Sequence, residues 1–114
     1  MKKVLLVLDG NDIAPRFDLA MEVAVVCLDG DEKPAQKKDI VLARPSSEAL
    51  CELVASENVH AVICGGIEKD YIQYLAWKDV SVVHSVMGPA GIALSRFQTG
   101  TLKSGDILFE KRKV

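Results

Sequence analysis

The sequence predicts an α/β domain, a mixed five-stranded sheet flanked by helices in the order β-β-β-α-β-α-β-α. Three observations carry this expectation. The apolar runs are short, rich in β-branched residues and of strand length. From Pro45 onward they alternate with helix-length amphipathic segments, which calls for parallel crossovers. Before Pro45 three strand-like runs follow one another without a helix, which calls for an antiparallel meander.

Residues 3 to 8, KVLLVL, form the first strand and end in the turn sequence DGND. After the irregular segment IAPRFDLA, residues 22 to 28, EVAVVCL, form the second, closed by Asp29-Gly30-Asp31-Glu32, a tight-turn signal. Residues 37 to 43, KKDIVLA, give a third strand whose polar start suits a sheet edge. Ser46 or Ser47 then caps a helix running to about Ser56, with Glu48 near its first turn and Leu50, Leu53 and Val54 as the buried stripe. HAVIC, residues 60 to 64, is a strand running into Gly65-Gly66, and IEKDYIQYLAWKD is a helix presenting Ile67, Tyr71, Tyr74 and Leu75 to the sheet. VSVVH, residues 80 to 84, repeats the unit before Ser85-Val86-Met87-Gly88-Pro89, and AGIALSRFQ closes it as a helix ending near Gly100. Leu102, Ile107, Leu108 and Phe109 allow the following segment to fold back, with a short extended piece at DILF.

Composition narrows the function classes. The 114 residues, 49% apolar and 26% charged, suit one domain spanning residues 1–114. Fourteen basic against sixteen acidic residues argue against a surface that tracks a nucleic-acid backbone. The charge is unevenly placed: residues 110–114 form a basic tail containing Lys111, Arg112 and Lys113, and the body is acidic. Cys27, Cys51 and Cys64 cannot all pair within one chain and show no CxxC spacing, so a reduced, cytoplasmic setting is expected. The apolar start is interrupted by Asp9, Gly10, Asn11 and Asp12, so neither a signal peptide nor a membrane span is expected from it.

Chemistry is expected where parallel strands end, because their following loops gather at one sheet edge. This brings together the segments Asp9 to Asp12, Cys64 to Gly66 and His84 to Gly88. Cys64 is either a soft metal ligand or a small buried hydrophobe, and His84 is an imidazole ligand or a structural residue. Gly65 and Gly66 either make a tight strand-to-helix connection or expose amides to an anionic ligand. They do not match GxGxxG, and the chain has no GxxxxGK[ST] segment. Met87 is a thioether ligand or a flexible cap on an apolar pocket. Asp9, Asp12 and Asp18 raise a metal-dependent nuclease, but they equally serve turns or pair with Arg16. No GxSxG elbow supports a serine hydrolase. Arg16 and Arg96 can supply positive charge near the loop edge or make surface ion pairs, and the aromatic residues are expected mainly in packing.

The run CGGIEKDYIQYLAWKDVSVVHSVMGPAGIALSRFQTGTLKSG, with the earlier DGNDIAPRFDLAMEVAVVCLDGD, resembles the dinitrogenase iron-molybdenum cofactor biosynthesis family. The resemblance covers most of the chain and rests on an xxPxFxxA-like segment at Pro15, Phe17 and Ala20 and on the Cys64-Gly65-Gly66-Ile67 junction. It implies a ribonuclease-H-like fold and a small non-enzymatic protein that binds, stores or transfers an anionic iron-sulfur or molybdenum-containing sulfur cluster, or its precursor. Implied partners are a cofactor-assembly or cluster-acceptor protein, with no specific nucleic acid, no membrane, and a monomer or weak homodimer. Many relatives carry a histidine in the segment after the first strand, whereas this chain has Arg16 immediately before Phe17 and only His60 and His84 overall. The resemblance therefore implies a cluster held in an electropositive recess by Asn11, Arg16, Phe17, Cys64, Gly65, Gly66, His84 and Gly88, with Cys64 and His84 as metal ligands. The alternatives are a cluster-free protein-binding or regulatory domain and, behind it, a metal-dependent nuclease.

Overall fold

In the computed structural model, residues 2–28 and 34–108 are described, and they form one mixed sheet with helices on both faces. The strands are β1 (Lys2–Asp9), β2 (Asp12–Ile13), β3 (Glu22–Leu28), β4 (Pro34–Val41), β5 (Ala61–Ile63) and β6 (Ser81–Val83). The helices are α1 (Ser47–Ser56), α2 (Lys69–Trp77) and α3 (Ala90–Gln98), with one 3-10 turn at Phe17–Leu19. The spatial order is β4-β3-β1-β5-β6, and β2 pairs with the end of β1. The pairs β1·β3 and β3·β4 are antiparallel, and β1·β5 and β5·β6 are parallel.

The expected order thus holds for five strands and three helices, with one correction. The sheet has a sixth member, β2, whose two residues are too few to show a periodicity. Strand β4 also starts earlier than expected, at Pro34, and ends at Val41. The basic tail 110–114, Phe109 and the turn at residues 29–33 lie outside the described residues.

Alternation along the central strands separates two cores. Leu5 and Val7 of β1, Val23 and Val25 of β3 and Val62 of β5 face α1 and α2, where they meet Leu50, Val54 and Leu75. Val4 and Leu6, Ala24, Val26 and Leu28, and Ala61 and Ile63 face α3, where they meet Ala93. Leu108 joins this second core, so the chain after α3 does fold back, although Ile107 beside it is exposed. On α2 the buried face is narrower than expected: Leu75 is buried, whereas Tyr74 and Trp77 are exposed.

The helices share one mode of termination. After each, a residue with positive φ turns the chain: Asn58 (55°), Asp79 (62°) and Gly100 (75°). In each case the next residue's N–H reaches back five residues, Val59 to Val54, Val80 to Leu75 and Thr101 to Arg96, at 2.9–3.0 Å. This is a Schellman closure, and its apolar plug is Val59 or Val80, both buried. At the other end of α1, Ser46 Oγ accepts the N–H of Ala49 at 3.1 Å.

Urea titration should separate local from core contributions. Ser46→Ala is expected to lose about 1 kcal/mol of stability through the cap. Leu50→Ala, at a fully buried position, is expected to lose about 3 kcal/mol.

Candidate functional site

Three connections converge at the carboxyl ends of β1, β5 and β6. The β1–β2 hairpin and the residues just after it supply Asp9, Asp12, Ile13 and Pro15, the β5–α2 junction supplies Gly65 and Gly66, and the β6–α3 connection supplies Ser85, Val86, Met87 and Gly88. Together they line an open recess of about 380 Å³. Backbone hydrogen bonds fix the connections to one another. Gly66 donates its N–H to the Pro15 carbonyl at 2.7 Å and its own carbonyl accepts the N–H of Phe17 at 2.8 Å. Ile13 N–H reaches the Gly88 carbonyl at 2.9 Å, and Ser85 N–H reaches the Gly65 carbonyl at 2.8 Å.

The glycines are required by close approach. A Cβ on Gly65 would stand 2.2 Å from the Ala14 carbonyl oxygen, inside any tolerable contact. Gly88 has φ of 124° and lies so close to Leu108 that a Cβ would meet its side chain at 2.9 Å. Because the Gly66 amide is donated to Pro15, of its two expected roles the tight strand-to-helix connection is the one it fills, and this amide is not free for an anion.

The other expected site residues are dispersed, and several roles need correction. Cys64 is fully buried in the core under α1 and α2 and does not line the recess. Burial pushes its thiol up to about 12, away from the thiolate that coordinates metals. Phe17 is also core, 1% exposed, with its ring 6.1 Å from that of Tyr71. Arg16 is turned to Asp18: Nε donates to Oδ1 at 3.0 Å and Nη2 to Oδ2 at 2.6 Å. Its side chain borders a neighbouring hollow with Leu19, Ala20 and Met21 instead of the recess. Asn11 lies on a different hollow, towards α3, and its carbonyl accepts the Ala90 N–H.

His84 stands one residue from the recess, half-buried. Its Nδ1 is 3.0 Å from Ser85 Oγ, and its backbone N–H donates to Ser104 Oγ. Gly65, Gly66 and Gly88 are therefore the expected residues that line the recess itself.

The side chains that give the recess its chemistry are Asp9, Asp12, Ser85 and Met87. No Lys or Arg lines it, so its local charge is negative, correcting the expectation of an electropositive hollow. Met87 is 52% exposed. Among the described residues no three His, Cys, Asp or Glu side chains form a group able to hold a metal ion by themselves. A ligand gathered here would meet carboxylate, hydroxyl and thioether donors, which suit exchangeable more than permanent coordination. The signal for these four residues was present in the sequence as their position just beyond strand ends.

No protein-family model and no curated protein matches the chain. Solved structures do. The crystal structure of the protein PH0822 superposes with a TM-score of 0.80 at 19% identity, over 90% of this chain and 93% of that one. The fold is shared. A crystal structure described as that of a proposed dinitrogenase from Methanocaldococcus jannaschii matches with a TM-score of 0.72 and 24% identity, over 89% and 91% of the two chains. A solution structure described as that of a proposed NifB protein from Thermotoga, assigned there to the DUF35 family, matches at 0.68 and 17%, over 97% and 100%.

Peptide mapping after iodoacetamide treatment at pH 8 should find Cys64 unmodified in the native protein and modified after unfolding in urea. The same burial fixes a pH dependence. The unfolded thiol ionises near 9 and the folded one only near 12, so below pH 9 the Cys64 contribution is constant. Between those values the unfolded state releases its proton first, and stability falls as pH rises. Cys64→Ala should flatten that part of a urea-midpoint profile.

Proposed function

We propose that this chain is a non-enzymatic carrier of an iron- and/or molybdenum-sulfur cluster or its precursor, a small member of the dinitrogenase iron-molybdenum cofactor biosynthesis family acting in the cytoplasm. The observation that carries the reading is the recess at the strand ends, where Asp9, Asp12, Ser85 and the exposed Met87 meet. The near full-length likeness to structures described as those of a proposed dinitrogenase and a proposed NifB protein supports it, as does the sheet order, which suits a ribonuclease-H-like fold. Because fold alone does not carry activity, the donor set decides the detail.

That donor set modifies the cargo. Two carboxylates oppose a strongly anionic, fully sulfide-capped cluster. They favour a precursor that presents open metal positions, where carboxylate oxygens serve iron or oxidised molybdenum and the Met87 thioether serves a softer iron edge. Such ligands exchange readily, which suits receipt from a cofactor-assembly protein and release to a cluster acceptor.

A second reading is a cluster-free protein-binding or regulatory domain on the same scaffold. It is favoured by the three thiols, Cys27, Cys51 and Cys64, all buried and none of them lining the recess. The nuclease reading receives less support, because no third carboxylate joins Asp9 and Asp12 among the described residues.

Anaerobic incubation with iron, molybdate and sulfide, followed by desalting, metal analysis and visible spectroscopy, separates the readings. The carrier reading expects stoichiometric metal with a charge-transfer absorption, reduced about tenfold in occupancy by Asp9→Asn/Asp12→Asn with Met87→Ala and unchanged by Cys64→Ala. Repeated absence of uptake, with capture of a specific protein partner, would establish the cluster-free domain instead.

A further inference from the structure

Strand β4 ends the sheet, and among the described residues its outer edge has no strand partner. It is eight residues long, and residues 36 to 39 and Val41 are exposed, Val41 by 73%. A long edge with unpaired N–H and C=O groups is a template for another strand. The charges on it decide which strand fits.

Register with β3 places Lys37 opposite Val26 and Asp39 opposite Ala24, so both lie on the α3 face of the sheet. They are 3.7 Å apart along one strand. Lys38 lies on the other face, opposite Val25, where its Nζ is 3.0 Å from Glu57 Oε2 just beyond α1. Pro34 has no N–H to give to an outer ladder and residue 35 is the extra residue of a bulge opposite Cys27 and Leu28, so the regular edge runs from Gln36 to Val41, with Lys37, Lys38 and Asp39 in its interior.

We propose that β4 is a homodimer interface, pairing antiparallel with β4 of a second copy about a two-fold axis at Lys38 and extending the sheet across both molecules. In this register Lys37 faces Asp39 of the second copy, and the relation repeats by symmetry. Opposed residues share a face of the sheet only if the register moves in steps that keep the alternation. The neighbouring allowed registers, centred on Lys37 or on Asp39, set Lys37 against its own copy or Asp39 against its own copy, and like charges directly opposite are unfavourable. The central register also brings the two Lys38 residues together, but each carries its own Glu57 counter-charge on that face. The backbone ladder supplies the contact, while the Lys37 and Asp39 pairs select the register and the partner.

Sedimentation equilibrium of the full chain, up to about 1 mM, combined with amide hydrogen exchange, tests the proposal. Dimer formation should rise with concentration and protect the amides of residues 36 to 40. Asp39→Lys should weaken dimerisation about tenfold, and Lys37→Asp/Asp39→Lys, which restores the complementarity in reverse, should recover it. All three chains should give the same circular dichroism, since both positions are exposed. A monomer at the highest concentration, or a dimer indifferent to Asp39→Lys, overturns the proposal.

Discussion

The double burial of β1 is the constraint on which the rest of the structure depends. Val4 to Val7 are sealed on both faces, with Leu5 and Val7 under α1 and α2 and Val4 and Leu6 under α3. A strand covered on both sides must have its backbone fully paired, because an unpaired buried amide costs as much as a lost hydrogen bond. β1 meets that demand with antiparallel β3 on one side and parallel β5 on the other. The mixed character of the sheet follows from this single strand having partners of both senses.

The position of the recess is a consequence. Since β1, β5 and β6 run in the same direction, their trailing connections reach the same edge, and the helices that follow β5 and β6 carry the chain away on opposite faces. What keeps the connections together is backbone packing, with Gly65 pressed on the Ala14 and Pro15 carbonyls and Gly88 on Leu108. Small residues there leave the floor to backbone and the chemistry to four side chains from two connections, β1–β2 and β6–α3. The core beneath stays apolar, and Cys64 belongs to it.

Much of the scaffold was legible in sequence because strand and helix periodicities are local. The β-branched runs marked β1, β3, β5 and β6, and Ser46 and Gly100 marked helix ends whose chemistry needs only a few neighbouring residues. Strand β2 was not legible, because two residues have no period and its pairing is imposed by the Asp9–Asp12 register with β1. The exposed Tyr74 and Trp77 were not legible either, since the width of the face that α2 buries depends on how the helix lies over the sheet.

The sequence by itself determined the order of elements, the gathering of loops at the strand ends and the glycines among them, all consequences of local conformational preference and right-handed connection. Only the tertiary structure decided which side chains face the shared space. Cys64 continues the alternation of Val62 and is drawn under the helices, whereas Arg16 is taken by Asp18 two residues away. For Cys64 the balance of burial against exposure to water is set by neighbours distant in the chain, whereas for Arg16 the structure selects a local ion pair over the loop edge. The side chains of the recess are therefore Asp9, Asp12, Ser85 and Met87, and its charge is negative where the family resemblance implied a positive one.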